Sequence, residues 1–348
     1  MHATLKLFIV GIPVALVLTI STAAAATKGW VHPKTPWGDP DLQGMWPLNH
    51  INSVPFERPP RFGERLYFTE EERAAEAARV ESRNELYENE DKANRIGLGH
   101  WVEKIDFPEQ TSLLVDPSNG RLPSRTALGD QMAKEMGSSW SREYWEKAED
   151  FNTWDRCITR GLPASMFPYP YNNGIEIVQA PGYVVINLEM IHEARVVPLK
   201  PIPKLDPAIQ QWMGDSRGRW EGDTLVVETA NFNGQTSMTS GASLESVRPA
   251  STELRLVERF ERLSDDTINY SVTVTDPLTQ AGSWTAAFPW KRDDSYQIFE
   301  YACNEDNNAV RGFITNSRVL REQRARGLNP TVQTPLENLR ERRTGVRK

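Results

Sequence analysis

From residue 174 onward, apolar and polar positions alternate with the period of two that marks half-buried strands. Ile175 and Ile177 flank Glu176, Pro181-Gly182 supplies a turn, and Tyr183–Glu189 and Ala194–Leu199 form the next two runs. Asp223–Thr229 follows with Leu225 and Val227 on one face. Thr252–Phe260 places Leu254, Leu256 and Phe260 together. Ile268, Tyr270, Val272 and Val274 make another run, then Trp284, Ala286, Phe288 and Trp290, and finally Gln297–Cys303. Ser264-Asp265-Asp266, Asp276-Pro277 and Asp293-Asp294-Ser295 are turn signals between them. This pattern predicts about eight strands in an antiparallel meander. A mainly β chain of this kind removes its edges most simply by closing into a lipocalin-like antiparallel β-barrel, with a β-sandwich as the alternative.

The alternation is absent before residue 166. Residues 1–26 have the layout of a secretory signal peptide. Lys6 is the positive charge, Leu7–Ile20 an apolar run of 14 residues, and Ser21-Thr22-Ala23-Ala24-Ala25-Ala26 a small-residue cleavage region. The run is shorter than the ~20 residues of a comfortable membrane span. An exported, periplasmic protein without stable membrane insertion after cleavage is therefore expected. Residues 27–165 read as a Pro/Trp-rich extended arm (27–65) and a helical region. Thr69 before Glu70-Glu71-Glu72 predicts a helix start for residues 68–95, and Ala127–Ala148 carries a second helical stretch. The barrel domain is expected over 166–316, and a charged helix and tail over 317–348.

Composition narrows the chemistry. Among 348 residues, Lys+Arg 40 against Asp+Glu 47 leaves a net charge of −7, which argues against a nucleic-acid partner. Two cysteines and five histidines are too few for a thiolate zinc site or a His-rich metal centre. No metal and no cofactor is expected. In an oxidising compartment Cys157 and Cys303 are expected to pair as one disulfide. Eleven tryptophans favour a wide aromatic core or an aromatic-lined pocket for a small aromatic molecule.

The densest polar constellation runs from Glu189 to Asp223 and includes His192, Glu193 and Arg195. His192 titrates nearest neutrality and is the first candidate for proton transfer; a structural His at a strand end is the alternative. Arg195 is a candidate anchor for a substrate anion, or the partner of Glu189 in an internal ion pair. Glu258 and Glu300 alternate with apolar residues. A carboxylate on such a face is costly unless paired or protonated, which suits either a general acid or base or pairing with Arg195 or Arg259. Trp284 and Tyr270 are candidate ring-stacking residues. Gly214-Asp215-Ser216-Arg217-Gly218 reads as a tight loop and Trp220-Glu221-Gly222-Asp223 as a hairpin turn. No Gly-x-Ser-x-Gly elbow, His-Glu-x-x-His or Rossmann fingerprint occurs.

Three segments carry a resemblance: Asp155-Arg156-Cys157-Ile158-Thr159-Arg160-Gly161-Leu162-Pro163, Glu189-Met190-Ile191-His192-Glu193-Ala194-Arg195, and the block from Gly214 to Val227. With Asp276-Pro277 and Glu300-Tyr301-Ala302-Cys303, they resemble a large family of mostly uncharacterised exported bacterial proteins across roughly residues 30–320. The resemblance implies export, a β-rich domain and an association with cofactor-free lyases or decarboxylases of lignin-derived phenylcoumarans. This chain has Asn304 where such proteins often carry His. It has Lys200-Pro201-Ile202-Pro203-Lys204 where they often have Asp-Gly-Arg-Pro-His. Both differences remove a His, which argues against a His-pair or metal mechanism.

Three functions remain. One is an exported, cofactor-independent decarboxylase-type lyase on an aromatic acid, with His192, Glu300 or Glu258 moving the proton and Arg195 holding the carboxylate. The second is a lipocalin-like carrier of a hydrophobic small molecule. The third is an envelope structural or interaction protein.

Overall fold

The computed structural model describes residues 30–93, 102–103, 109–136, 142–239, 246–305 and 307–328. The expected signal segment 1–26 and the C-terminal tail beyond 328 lie outside the described residues. Short strands β1 (Gly44–Met45) and β2 (Leu114–Asp116) precede the main series, as do helices α1 (Glu70–Lys92) and α2 (Ala127–Glu135). Then come β3 (Ile175–Ala180), β4 (Tyr183–Leu188), β5 (Glu193–Pro198), β6 (Asp215–Glu221), β7 (Thr224–Ala230), β8 (Arg255–Ser264), β9 (Thr267–Thr275) and β10 (Trp284–Lys291), with helix α3 (Ala309–Ala325) last. Among the described residues no helix is long and apolar enough to cross a membrane.

Thr69 caps α1 as the sequence predicts: its side chain accepts from the Glu72 amide, and the Glu72 carboxylate accepts from the Thr69 amide. α2 ends at Glu135, well short of Ala148, and α3 begins at Ala309 rather than near residue 317. Gln297–Cys303 forms no strand, whereas Asp215–Glu221, expected as a loop and turn, does. The predicted turn is real: Gly222 takes φ +62°, a conformation that favours glycine, and β6 and β7 pair from Glu221↔Thr224 outward.

The strands divide into two antiparallel sheets, ordered β1-β3-β4-β5 and β2-β10-β9-β8-β7-β6. Among the described residues no ladder joins β5 to β6, or β1 to β2, so the pairing does not close the expected barrel. The chain leaves β5 through Pro198, Pro201 and Pro203, which carry no amide hydrogen for a ladder. The neighbouring strands meet through side chains instead. A Cβ on Gly218 of β6 would fall 2.6 Å from Leu199 and 2.8 Å from Val197. The inner faces of both sheets nevertheless share one apolar core, with Ile177, Ile186 and Val197 from the first sheet and Leu225, Phe260, Phe288 and Trp290 from the second.

Cys157 and Cys303 form the expected disulfide, tying the segment before β3 to the segment after β10 across 146 residues of sequence.

Candidate functional site

Four of the residues singled out in the sequence lie in the core. Arg195 on β5 is 4% exposed and Glu258 on β8 is fully buried. They form a two-pronged ion pair between the sheets, Nη1 to Oε1 at 3.0 Å and Nη2 to Oε2 at 2.6 Å. Tyr270 donates its hydroxyl to Glu258 Oε1 at 2.9 Å and stacks on Trp290 with centroids 4.8 Å apart. Burial opposes the charge on Arg195, but attraction to Glu258 outweighs it and raises the guanidinium pKa. Burial, reinforced by the Glu258 charge, holds the Tyr270 hydroxyl far above its ordinary range. The alternative reading of Glu258, pairing with Arg195, is thus the one realised. Trp284 is buried among Phe56 and Phe167. These groups pack the interior between the sheets, so Arg195 already has its anion.

The remaining candidates are elsewhere. His192 is exposed, with φ +44° and Nδ1 3.1 Å from the Tyr301 carbonyl oxygen. It does not join Arg195 at a common mouth, because the β4–β5 connection turns it outward while the alternation of β5 turns Arg195 inward. Glu300 is exposed on a non-strand segment, so the apolar strand face expected around it does not exist. Glu189 is buried, but it pairs with neither Arg195 nor an open cavity. It accepts hydrogen bonds from Asn172, the Gly174 amide, the Tyr296 hydroxyl and the Phe299 amide, clamping the chain after β10 onto the start of β3.

An open cleft lies elsewhere, bounded by α2, residues 149–160, residues 234–239 and Val247, with a volume of about 260 Å³. The 149–160 wall is built by short-range bonds. Asn152 Oδ1 accepts from the Asp155 amide, and the Thr153 carbonyl accepts from the Ile158 amide. Thr159 Oγ1 accepts from the Gly161 amide. Gly161, at φ +76°, lets the chain back onto Thr236, where a Cβ would sit 2.6 Å from the threonine Cβ. That close approach brings the 234–239 segment against the wall.

Arg160 projects from this wall into the cleft and is only 8% exposed. Its guanidinium lies over Trp154 at 5.3 Å and Tyr169 at 5.0 Å. Trp154 meets Tyr169 edge-on at 4.7 Å, and Tyr169 meets Tyr171 in the same manner at 5.0 Å. Among the described residues no carboxylate pairs with Arg160, and its Nε is buried without a hydrogen-bond partner. Burial therefore lowers its pKa to about 10, against the opposing influence of Tyr169, Tyr171, Tyr301 and Glu193. A buried cation held by aromatic faces alone is costly unless an anion completes it. The lining acids Glu135 and Glu149 are both exposed.

Behind Arg160, Thr159 donates to Glu193 Oε2 at 2.7 Å. Burial pushes the Glu193 carboxyl up to about 7, against the Thr159 hydrogen bond and the charges of Arg195, His192 and Arg160. The sequence reading placed Glu193 in its polar constellation but passed over Arg160. The signal for Arg160 was its position in the Asp155–Pro163 segment beside Cys157. Among the described residues, no group of three or more His, Cys, Asp or Glu side chains is arranged to hold a metal ion. No family model matches the chain, and neither a curated protein nor a solved structure matches it.

Proposed function

We propose that the protein is exported and acts on a small aromatic carboxylic acid. The anion pairs with Arg160 and the ring packs on Trp154, which lines the cleft beside it. The observation that carries this reading is the buried, acid-free Arg160 guanidinium facing an open cleft. A guanidinium forms two parallel hydrogen bonds to a carboxylate, and its aromatic flanks suit a planar ligand. The volume of about 260 Å³ lies just below the ~300 Å³ at which drug-sized sites begin, so a one-ring acid or one end of a longer molecule fits.

Turnover as a cofactor-independent, decarboxylase-type lyase is the form of this reading suggested by the association of similar, mostly uncharacterised exported proteins with lignin-dimer breakdown. In a phenylcoumaran acid the bond to the carboxylate carbon breaks and carbon dioxide leaves. The electron pair of that bond forms the new alkene as the furan C–O bond opens, and the released phenolate oxygen takes a proton. Glu193, half-protonated near neutrality and hydrogen-bonded by the residue next to Arg160, is the assigned donor. Pairing the carboxylate with Arg160 stabilises the ground state. In turnover Arg160 therefore positions the acid, and the rate gain comes from proton donation to the oxygen on which charge develops. The second reading is a carrier, and one observation favours it: among the described residues, the carboxylates that line the cleft, Glu135 and Glu149, are exposed and unsuited to proton transfer.

Titration of the protein with benzoate, cinnamate and phenylcoumaran acids, followed by calorimetry and by Trp fluorescence, tests the binding step. Arg160→Gln is expected to weaken benzoate binding by about ten- to a hundredfold, the range for a charge-assisted hydrogen bond. Benzamide affinity should change far less. Equal benzoate affinity in a folded Arg160→Gln variant removes the cleft from the function. Mass spectrometry of the same mixtures separates lyase from carrier by whether carbon dioxide is lost.

A further inference from the structure

Glu193 sits one residue contact behind the anion site, and nothing in binding an acid at Arg160 requires it to be there. Its Oε2 accepts from Thr159 Oγ1 at 2.7 Å, and Thr159 is fixed in turn by accepting from the Gly161 amide at 2.8 Å. Arg160 lies between those two residues, so the cation and the hydroxyl that holds the acid share one turn. The other groups around Glu193 are Arg195 on its own strand, His192 beside it, Met213 against Thr159, and Leu188 opposite it on β4. Met213 and Leu188 carry no charge. Arg195 is committed to Glu258 at 2.6 Å, so its field is largely cancelled by an equal and opposite charge. His192 is exposed and screened by solvent. Burial raises the hydroxyl pKa values of Tyr169 and Tyr171, so both are neutral at ordinary pH. Arg160 is the one buried cation in this group whose charge no carboxylate cancels.

We propose that Glu193 is the proton-linked partner of the Arg160 cleft: an anion that pairs with Arg160 is bound together with a proton on Glu193. The inference rests on Arg160 as the anion site. With the cleft empty, the Arg160 charge favours the Glu193 carboxylate. A bound carboxylate cancels that charge and adds a negative one nearby, so Glu193 takes a proton from solvent. Burial has already brought Glu193 to about 7, where a modest further push changes its occupancy. By linkage, the ligand then binds more tightly at lower pH. One titrating group raised by about half to one pKa unit on binding gives a threefold to tenfold change in affinity. The consequence is a site that loads its acid in mildly acidic surroundings and releases it in alkaline ones.

Benzoate is the probe, because its own carboxyl titrates well below the window used. Its Kd is measured at pH 6.0 and pH 8.5 by calorimetry, each in two buffers of different ionisation enthalpy. The expected result is threefold to tenfold tighter binding at pH 6.0, with net proton uptake near neutrality. Glu193→Gln should keep benzoate binding but abolish both the pH dependence and the uptake. His192→Asn should retain both. Benzoate binding without proton uptake, or a pH dependence lost in His192→Asn and kept in Glu193→Gln, overturns the inference while leaving the Arg160 site intact. Absence of benzoate binding at either pH overturns the site and the inference together. Should Glu193→Gln fail to fold, the buffer comparison on the unmodified protein still decides whether a proton is taken up. Thr159→Val, which removes the hydroxyl that holds Glu193, then tests the assignment by raising the pH at which uptake occurs.

Discussion

Glu258→Gln is expected to lower folding stability by about 3–5 kcal/mol, the cost of leaving one member of a buried ion pair without its partner. Glu258 is fully buried and is the only carboxylate on Arg195 among the described residues. After substitution the guanidinium has only neutral acceptors, the glutamine carbonyl oxygen, Met166 Sδ at 3.3 Å and Ser216 Oγ at 3.4 Å. Tyr270 retains a carbonyl oxygen to donate to, so the loss measures the charge rather than the hydroxyl. Domains of ordinary stability hold ~5–15 kcal/mol, so the variant should unfold well before the parent in urea. Trp290, stacked on Tyr270, is a fluorescence reporter inside the affected region. A loss under 1 kcal/mol would mean that Arg195 is not held there as a cation. The combined change Arg195→Met, Glu258→Leu and Tyr270→Phe should recover most of the loss, because apolar groups of similar volume need no charge compensation.

That expectation also separates structure from function. Arg195 and Glu258 have the residue types of a catalytic pair, and their alternation with apolar neighbours was legible in the sequence. What the sequence could not show is that the two face each other across the sheets. Pairing makes them a fixed part of the core instead of a site waiting for substrate. Arg160 is the reverse case. It stands in an irregular segment with no periodicity to draw attention to it, and its significance lies in what is missing around it in space. An unpaired cation has no sequence signature.

The fold divides in the same way. β3, β4, β5 and β7 through β10 follow from alternation, because one side of each strand faces the apolar core. β6 did not stand out, because its inner positions are Ser216, Gly218 and Trp220. Gly218 is excluded from being large by Val197 and Leu199, which already fill that space. Gln297–Cys303 alternates but makes no strand. Its neighbourhood is instead anchored by Tyr296 and the Phe299 amide to Glu189, leaving Phe299 and Glu300 exposed. A buried carboxylate can replace a ladder in satisfying backbone donors, and periodicity alone does not distinguish the two.

Glu193 makes the stability of the protein depend on pH in the direction opposite to a salt-bridged acid. Burial raises its carboxyl from 4.5 to about 7 in the folded chain. Between those two values the folded state holds the proton and the unfolded state does not. The unfolded state therefore binds fewer protons, and unfolding free energy falls as pH rises through this window. Below about pH 4.5 both states are protonated, and above about pH 7 both are ionised, so the contribution levels off on each side. The interval corresponds to about 3 kcal/mol of stability present at low pH and lost by pH 8. Other carboxylates act oppositely. Arg65, with the Thr69 backbone, holds Glu72 down at about 2, so the raw pH curve of the protein mixes both signs. Comparison with Glu193→Gln isolates the one group, since glutamine keeps an acceptor for Thr159 and does not titrate. Chemical unfolding of both proteins at pH 5 and pH 8 should give nearly equal stabilities at pH 5, whereas at pH 8 the variant should be more stable by up to about 3 kcal/mol. A difference that does not change with pH would place the Glu193 carboxyl in water and remove the reason for its proton to follow the ligand.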